Sequence, residues 1–143
     1  MAEARSRLRT ELVARPLIGV LFPELLDVVQ PLAGEWAVRR SLFESLSVPS
    51  GYAVELAALV DTLDLHGLDA IAQVDLGVRA HRHQALLDLG GMATQILSAA
   101  LARRGSGSSE GGDDVVIRQF LPGLVARDRV VPTFERPPAV SVR

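Results

Sequence analysis

Between Val54 and Val78 the sequence writes a helix, a stop and an apolar run, and that order constrains the fold more than any other feature. Leu56, Leu59, Val60 and Leu63 fall at i, i+3, i+4 and i+7, the spacing that gathers apolar side chains on one helix face. Gly67 follows four residues later, where a glycine can take the left-handed backbone that ends a helix. The spacing predicts a helix from Val54 to His66. Ala70 to Val78 is mostly Ala, Ile, Val and Leu, and reads as a buried strand. A helix feeding a buried strand belongs to an α/β fold.

The rest of the chain punctuates itself with Gly and Pro. Thr10 to Leu21 reads as a helix with Thr10 as N-cap, a stripe of Leu12, Val13, Leu17, Val20 and Leu21, and a kink or late start at Pro16. Gln30 to Trp36 is extended with a turn, Arg39 to Leu46 suits a short helix, and Pro49-Ser50-Gly51 is a turn. Leu86 to Arg104 is a second long helix, interrupted at Gly90-Gly91. Val115 to Leu121 suits a short strand or helix, and the proline-containing tail after it suits a surface wrap. The expected organisation is an irregular basic segment over residues 1–9, a domain over 10–104, a flexible Gly/Ser linker over 105–114 and a tail over 115–143.

Bulk properties narrow the class. The 143 residues suffice for one domain, and 48% hydrophobic with 22% charged residues is the range of a folded chain. A mean hydropathy of +0.25 is oily enough to suggest apolar surface covered by another domain or subunit. Leu89 to Ala102 is the longest uncharged run, shorter than the ~20 residues of a membrane span. There is no apolar leader and no cysteine, so a cytoplasmic chain without membrane contact, disulfides or thiolate metal sites is expected. Net charge is −2, which argues against a nucleic-acid partner. Every basic residue is Arg, whose planar fork suits phosphate and carboxylate.

The densest chemistry lies in Gly77-Val78-Arg79-Ala80-His81-Arg82-His83, at the C-terminal end of the expected strand, the edge where α/β folds bind ligands. On an extended backbone Arg79, His81 and His83 face one side, about 6.6 Å apart at each step. One cation and two imidazoles on a face suit a phosphate or a metal-phosphate. A solvated strand end with hydrogen-bonded histidines fits the same spacing.

Several collinear strings carry a resemblance. Thr10-Glu11-Leu12-Val13-Ala14-Arg15-Pro16-Leu17, Gln30-Pro31-Leu32-Ala33-Gly34-Glu35-Trp36, Gly51-Tyr52-Ala53-Val54-Glu55-Leu56, the run from Gly67 to Arg82, Gln119-Phe120-Leu121-Pro122-Gly123 and Arg136-Pro137-Pro138 stand in one order with few gaps. Together they resemble the glucosyl-3-phosphoglycerate synthases and their mannosyl relatives. The resemblance implies the C-terminal, acceptor-binding portion of a GT-A glycosyltransferase, helix-rich, with the nucleotide-binding sheet mostly outside these residues. The implied reaction moves glucose from NDP-glucose to 3-phosphoglycerate with retention. An Asp-x-Asp motif in the N-terminal half would hold Mg2+ or Mn2+. The implied partners are a second copy of the chain or a separate donor half.

The resemblance also assigns residues. His81 falls at the metal-ligand position. Thr10, Arg79 and His83 fall at acceptor-binding positions. Glu55 falls at the active-site acid, in the first turn of its helix, where the dipole favours negative charge. Tyr52 and Met92 would line the donor side. Trp36 replaces another aromatic and reads as packing. Two positions depart from the family pattern: Leu8 stands where an acceptor-binding arginine is expected, and His83 where an asparagine is expected. No Asp-x-Asp occurs in these residues, so the chain alone is expected not to transfer sugar. The competing reading is a non-catalytic module that binds a phosphorylated metabolite or a protein partner.

Overall fold

A computed structural model of the chain describes residues 10–77, 86–105, 114–121 and 125–142. Helical geometry begins at Thr10 itself. A single π turn, Thr10–Ala14, runs into α1 (Arg15–Leu21). Pro16 sits in the first turn of α1, directly after the π turn, so the N–H it lacks falls at the junction of the two helical geometries. Pro16 does not delay the helix: it marks the change from π to α geometry within the expected span Thr10 to Leu21. The wider π turn shifts the helical phase, so the inward face differs from the expected stripe. Ala14, Leu17 and Ile18 are buried, whereas Leu12 and Val20 are 68% and 79% exposed.

A short 3-10 turn, Pro23–Leu25, and an irregular stretch lead to α2 (Arg40–Ser45). The two-residue strand β1 (Val48–Pro49) and a second 3-10 turn, Gly51–Ala53, deliver the chain into α3 (Val54–His66). That span is the one predicted, and Gly67 closes it with φ +78° and an N–H donated to Leu63 O at 2.8 Å. α4 (Leu86–Arg103) is the longest described helix.

The expected break at Gly90-Gly91 is absent; α4 runs through both glycines. At Gly91 the reason is room. A Cβ on Gly91 would lie 3.0 Å from the guanidinium carbon of Arg129, so glycine lets that side chain lie against the helix. Arg129 comes from a hairpin, β2 (Val115–Leu121) and β3 (Val125–Val131), paired antiparallel from Val115↔Val131 to Leu121↔Val125. Arg118 and Asp128 face each other in that register and bond through both carboxylate oxygens, at 2.6 and 2.8 Å. The tail beyond the hairpin is not a loose wrap. Its β4 (Glu135–Arg136) pairs with β1.

The expected buried strand is the main correction. Leu68–Ala70 is a 3-10 turn, and residues 71–77 run without ladder partners. Val74 is 78% exposed and Leu76 52%. An apolar run becomes a buried strand only where neighbouring strands supply its hydrogen bonds, and the described strands form two antiparallel pairs elsewhere. One side chain stands in for the ladder: Gln73 accepts from Val29 N at 2.7 Å and donates to Asp27 O at 2.8 Å. The described architecture is thus helices with two small antiparallel sheets, and none of its helices is long and apolar enough to cross a membrane.

One core joins α1, α3 and α4. Phe22, Leu25, Leu56, Val60 and Ile96 are almost fully buried within it. Arg104 seals its edge: the guanidinium lies 4.4 Å from the Phe22 ring centroid, and Nε donates to Leu21 O at 2.7 Å, capping the last turn of α1. Arg103 ties the other side. It donates to both oxygens of Asp61 on α3, at 2.7 and 2.9 Å, and to Glu135 on β4 at 2.6 Å.

Burial raises the Asp61 carboxyl above its ordinary pKa, and the hydrogen bond from Arg103 only partly opposes this. A carboxyl raised in the folded state holds its proton more tightly folded than unfolded. Its contribution is therefore present at low pH and lost as pH rises through the folded-state pKa. Arg103→Met leaves Asp61 and Glu135 without their shared cation. At about pH 7 the variant should lose on the order of 2–3 kcal/mol in urea unfolding. The deficit should shrink at about pH 4.5, because a protonated Asp61 no longer needs the cation.

Candidate functional site

Glu55 occupies the second position of α3, and its carboxylate is held from outside the helix. Gly34 donates its backbone N–H to Glu55 Oε1 at 2.6 Å. Gly34 has φ +78°, a conformation most side chains avoid, so the loop that carries this donor favours glycine there. An amide donor and a helix N-terminus both favour a negatively charged oxygen at this place. The arrangement suits a fixed acceptor or an electrostatic stabiliser more than a proton donor.

Tyr52 and Met92, the two expected donor-side residues, line one cavity of about 210 Å3. The 3-10 turn Gly51–Ala53 brings Tyr52 from one side, and α4 brings Met92 from the other. Tyr52 is half-exposed, while Met92 is 3% exposed and forms a wall. Asp88, Gln95, Arg129 and Pro132 are among the other lining residues, and sequence reasoning assigned a role to none of them. Arg129 donates to Leu87 O and Asp88 Oδ1, both at 3.2 Å, which presses the hairpin onto α4. Two signals for these residues stand in the sequence: the small Gly90-Gly91 pair, and a lone amide, Gln95, inside the uncharged run Leu89 to Ala102.

The other predicted residues are not all visible together. Thr10 is buried at 1% exposure, in the first helical turn rather than ahead of it as an N-cap. Arg79, His81 and His83 lie outside the described residues, as does Leu8. Trp36 packs against Phe43, with ring centroids 6.0 Å apart. Among the described residues no three His, Asp or Glu side chains gather to hold a metal ion. A larger cavity, about 730 Å3, opens beside Asp61, Arg103 and Glu135 and contains none of the predicted site residues. Arg103 already holds both of its central carboxylates, so the smaller cavity, which holds two predicted residues, is the better candidate.

No family model matches the chain. Individual proteins do. The glucosyl-3-phosphoglycerate synthase of Mycobacterium tuberculosis (strain ATCC 25618 / H37Rv) is 54% identical over 114 residues, 80% of this chain and 34% of that protein. The crystal structure of the M. tuberculosis enzyme with Mg2+ and uridine diphosphate superposes with a TM-score of 0.87 at 48% identity, covering 97% of this chain and 48% of that one. A second, with Mn2+, UDP-glucose and phosphoglyceric acid, superposes with a TM-score of 0.84 at 47% identity, covering 94% and 46%. The resemblance read from the sequence therefore holds, and the chain spans less than half the length of the relatives it matches.

Glu55→Ala removes the acceptor of the Gly34 amide and should speed hydrogen exchange at Gly34 by about tenfold. Glu55→Gln keeps an oxygen in place and should change that rate by much less. Exchange measured residue by residue by NMR separates the two.

Proposed function

We propose, for a chain whose relatives and structural neighbours are glucosyl-3-phosphoglycerate synthases, that it supplies the C-terminal, acceptor-side portion of a cytoplasmic GT-A enzyme moving glucose from NDP-glucose to 3-phosphoglycerate with retention. The observation that carries this reading is the superposition of nearly the whole chain, at 48% identity, on an enzyme structure holding Mg2+ and uridine diphosphate. In this reading residues 10–104 form the acceptor-side domain, 105–114 a linker and 115–143 a tail on that domain or on a second copy.

Each residue has a stated part. Thr10, Arg79 and His83 bind the phosphate and carboxylate of the acceptor, with Arg79 supplying the forked cation. Tyr52 and Met92 bound the donor sugar's cavity. Glu55, held by the Gly34 amide, offers a fixed negative oxygen beside the reacting sugar. His81 would give one ligand to Mg2+ or Mn2+, and in this reading the other ligands come from a donor half carrying Asp-x-Asp. When bound, the metal neutralises the diphosphate that leaves. A histidine ligand must be neutral to bind, so activity should fall at acid pH.

The test mixes purified chain, NDP-glucose, 3-phosphoglycerate and Mn2+, with and without the donor-binding half of a relative. We expect no NDP release from the chain alone and metal-dependent release when the donor half is present. Arg79→Ala in the pair should raise the acceptor KM by 10-fold or more, in the range of a lost charge-assisted bond at roughly 1.5–3 kcal/mol. No release with the donor half, together with tight binding of 3-phosphoglycerate to the chain, would favour the non-catalytic module.

A further inference from the structure

The cavity that holds Tyr52 and Met92 is closed on one side by a residue that joins two distant stretches of backbone. Gln95, on α4, accepts the N–H of Tyr52 on Oε1 at 3.1 Å. Its Nε2 donates to Pro132 O, also at 3.1 Å. The two bonds fix the orientation of the amide, since only one end of it can accept and only the other can donate. Pro132 has no N–H of its own, so the chain leaving β3 cannot donate to its neighbour there. Its carbonyl is met from the other side by Ser50 Oγ at 3.4 Å, and Ser50 N donates to Phe134 O at 3.1 Å.

Gly51 stands between these contacts. Its φ is +70°, and a Cβ there would run into the Gln95 amide. The turn before α3 is therefore shaped around Gln95, and β4 paired with β1 holds the tail close enough for the second bond.

We propose that Gln95 is a positioning residue for Tyr52: it makes the place of Tyr52 in the cavity depend on the tail strand at Pro132. The consequence for catalysis rests on Tyr52 standing on the donor side, as proposed above; the clamp itself does not. Tyr52 is the single tyrosine of the chain, so its ring and amide signals report on this turn without overlap.

Two substitutions separate the two bonds. Gln95→Met removes both. Gln95→Glu keeps an acceptor for Tyr52 N–H but sets a carboxylate against the Pro132 carbonyl. In the full chain, Gln95→Met should raise exchange of the Tyr52 amide about tenfold and shift the tyrosine ring resonances, while the Val60 amide in the core keeps its protection. Gln95→Glu should leave the Tyr52 amide within about threefold of its starting rate, because its acceptor remains, but should shift the tyrosine ring resonances and raise exchange at Ser50, because the tie to Pro132 is gone. An unchanged Tyr52 amide in Gln95→Met overturns the clamp. So does a Gln95→Glu protein that leaves Ser50 undisturbed. Should Gln95→Met fail to fold, Gln95→Glu decides alone.

The catalytic consequence is read with the donor half present. Gln95→Met should raise the KM for NDP-glucose about tenfold, with kcat within about threefold. Unchanged KM alongside a mobile Tyr52 overturns the positioning role. If the unsubstituted pair releases no NDP, the assigned activity fails, and the exchange data still decide the clamp.

Discussion

One guanidinium holds the described structure in register. Arg103 sits at the end of α4 with its side chain 9% exposed, and it bonds Asp61 on α3 and Glu135 on β4. A planar fork with five donors can satisfy two carboxylates at once, which an ammonium cannot do with the same geometry. Through Glu135 it anchors β4, and β4 is the partner of β1. β1 in turn precedes the turn that carries Tyr52 and the first residues of α3. The placement of Glu55 and Tyr52 is therefore linked to an ion pair that lies in a different cavity.

The parts of the fold that were legible in the sequence are those whose causes are local. α3 could be read to the residue, because the spacing of Leu56, Leu59, Val60 and Leu63 and the stop at Gly67 all lie within the helix or beside it. The span of the first helix, Thr10 to Leu21, was legible too, with Pro16 at the change from π to α geometry. What failed depended on distant partners. Residues 71–77 have the composition of a buried strand, but composition does not supply a neighbouring strand. Gly90-Gly91 looked like a break, because the guanidinium that needs the space comes from β3, 38 residues beyond Gly91. The hairpin was half seen, with β2 as one of two alternatives and β3 unread.

The candidate site was legible in a similar proportion. Tyr52 and Met92 were assigned to one side by resemblance and do line one cavity. Glu55 was placed in a first helical turn and is there, yet its donor, Gly34, lies 21 residues away in an irregular loop that no periodicity marks. Gln95 had only its polarity to signal it. Its role arises from two backbone groups, 43 residues behind and 37 ahead, that meet on one amide.

The unladdered stretch at residues 71–77 has a practical consequence. A stretch with no ladder partner among the described residues and with exposed Val74 and Leu76 is a template onto which another strand can add. Two features blunt it. Gln73 spends its amide on Asp27 and Val29, which fastens one edge to the body of the chain. Asp75 adds a charge in the middle and turns its carboxylate onto the N–H of Gly77 at 2.8 Å, bending the run before it lengthens. Asp75 thus puts a charge and a turn where an added strand would have to pair, the kind of interruption that limits the reach of an apolar run.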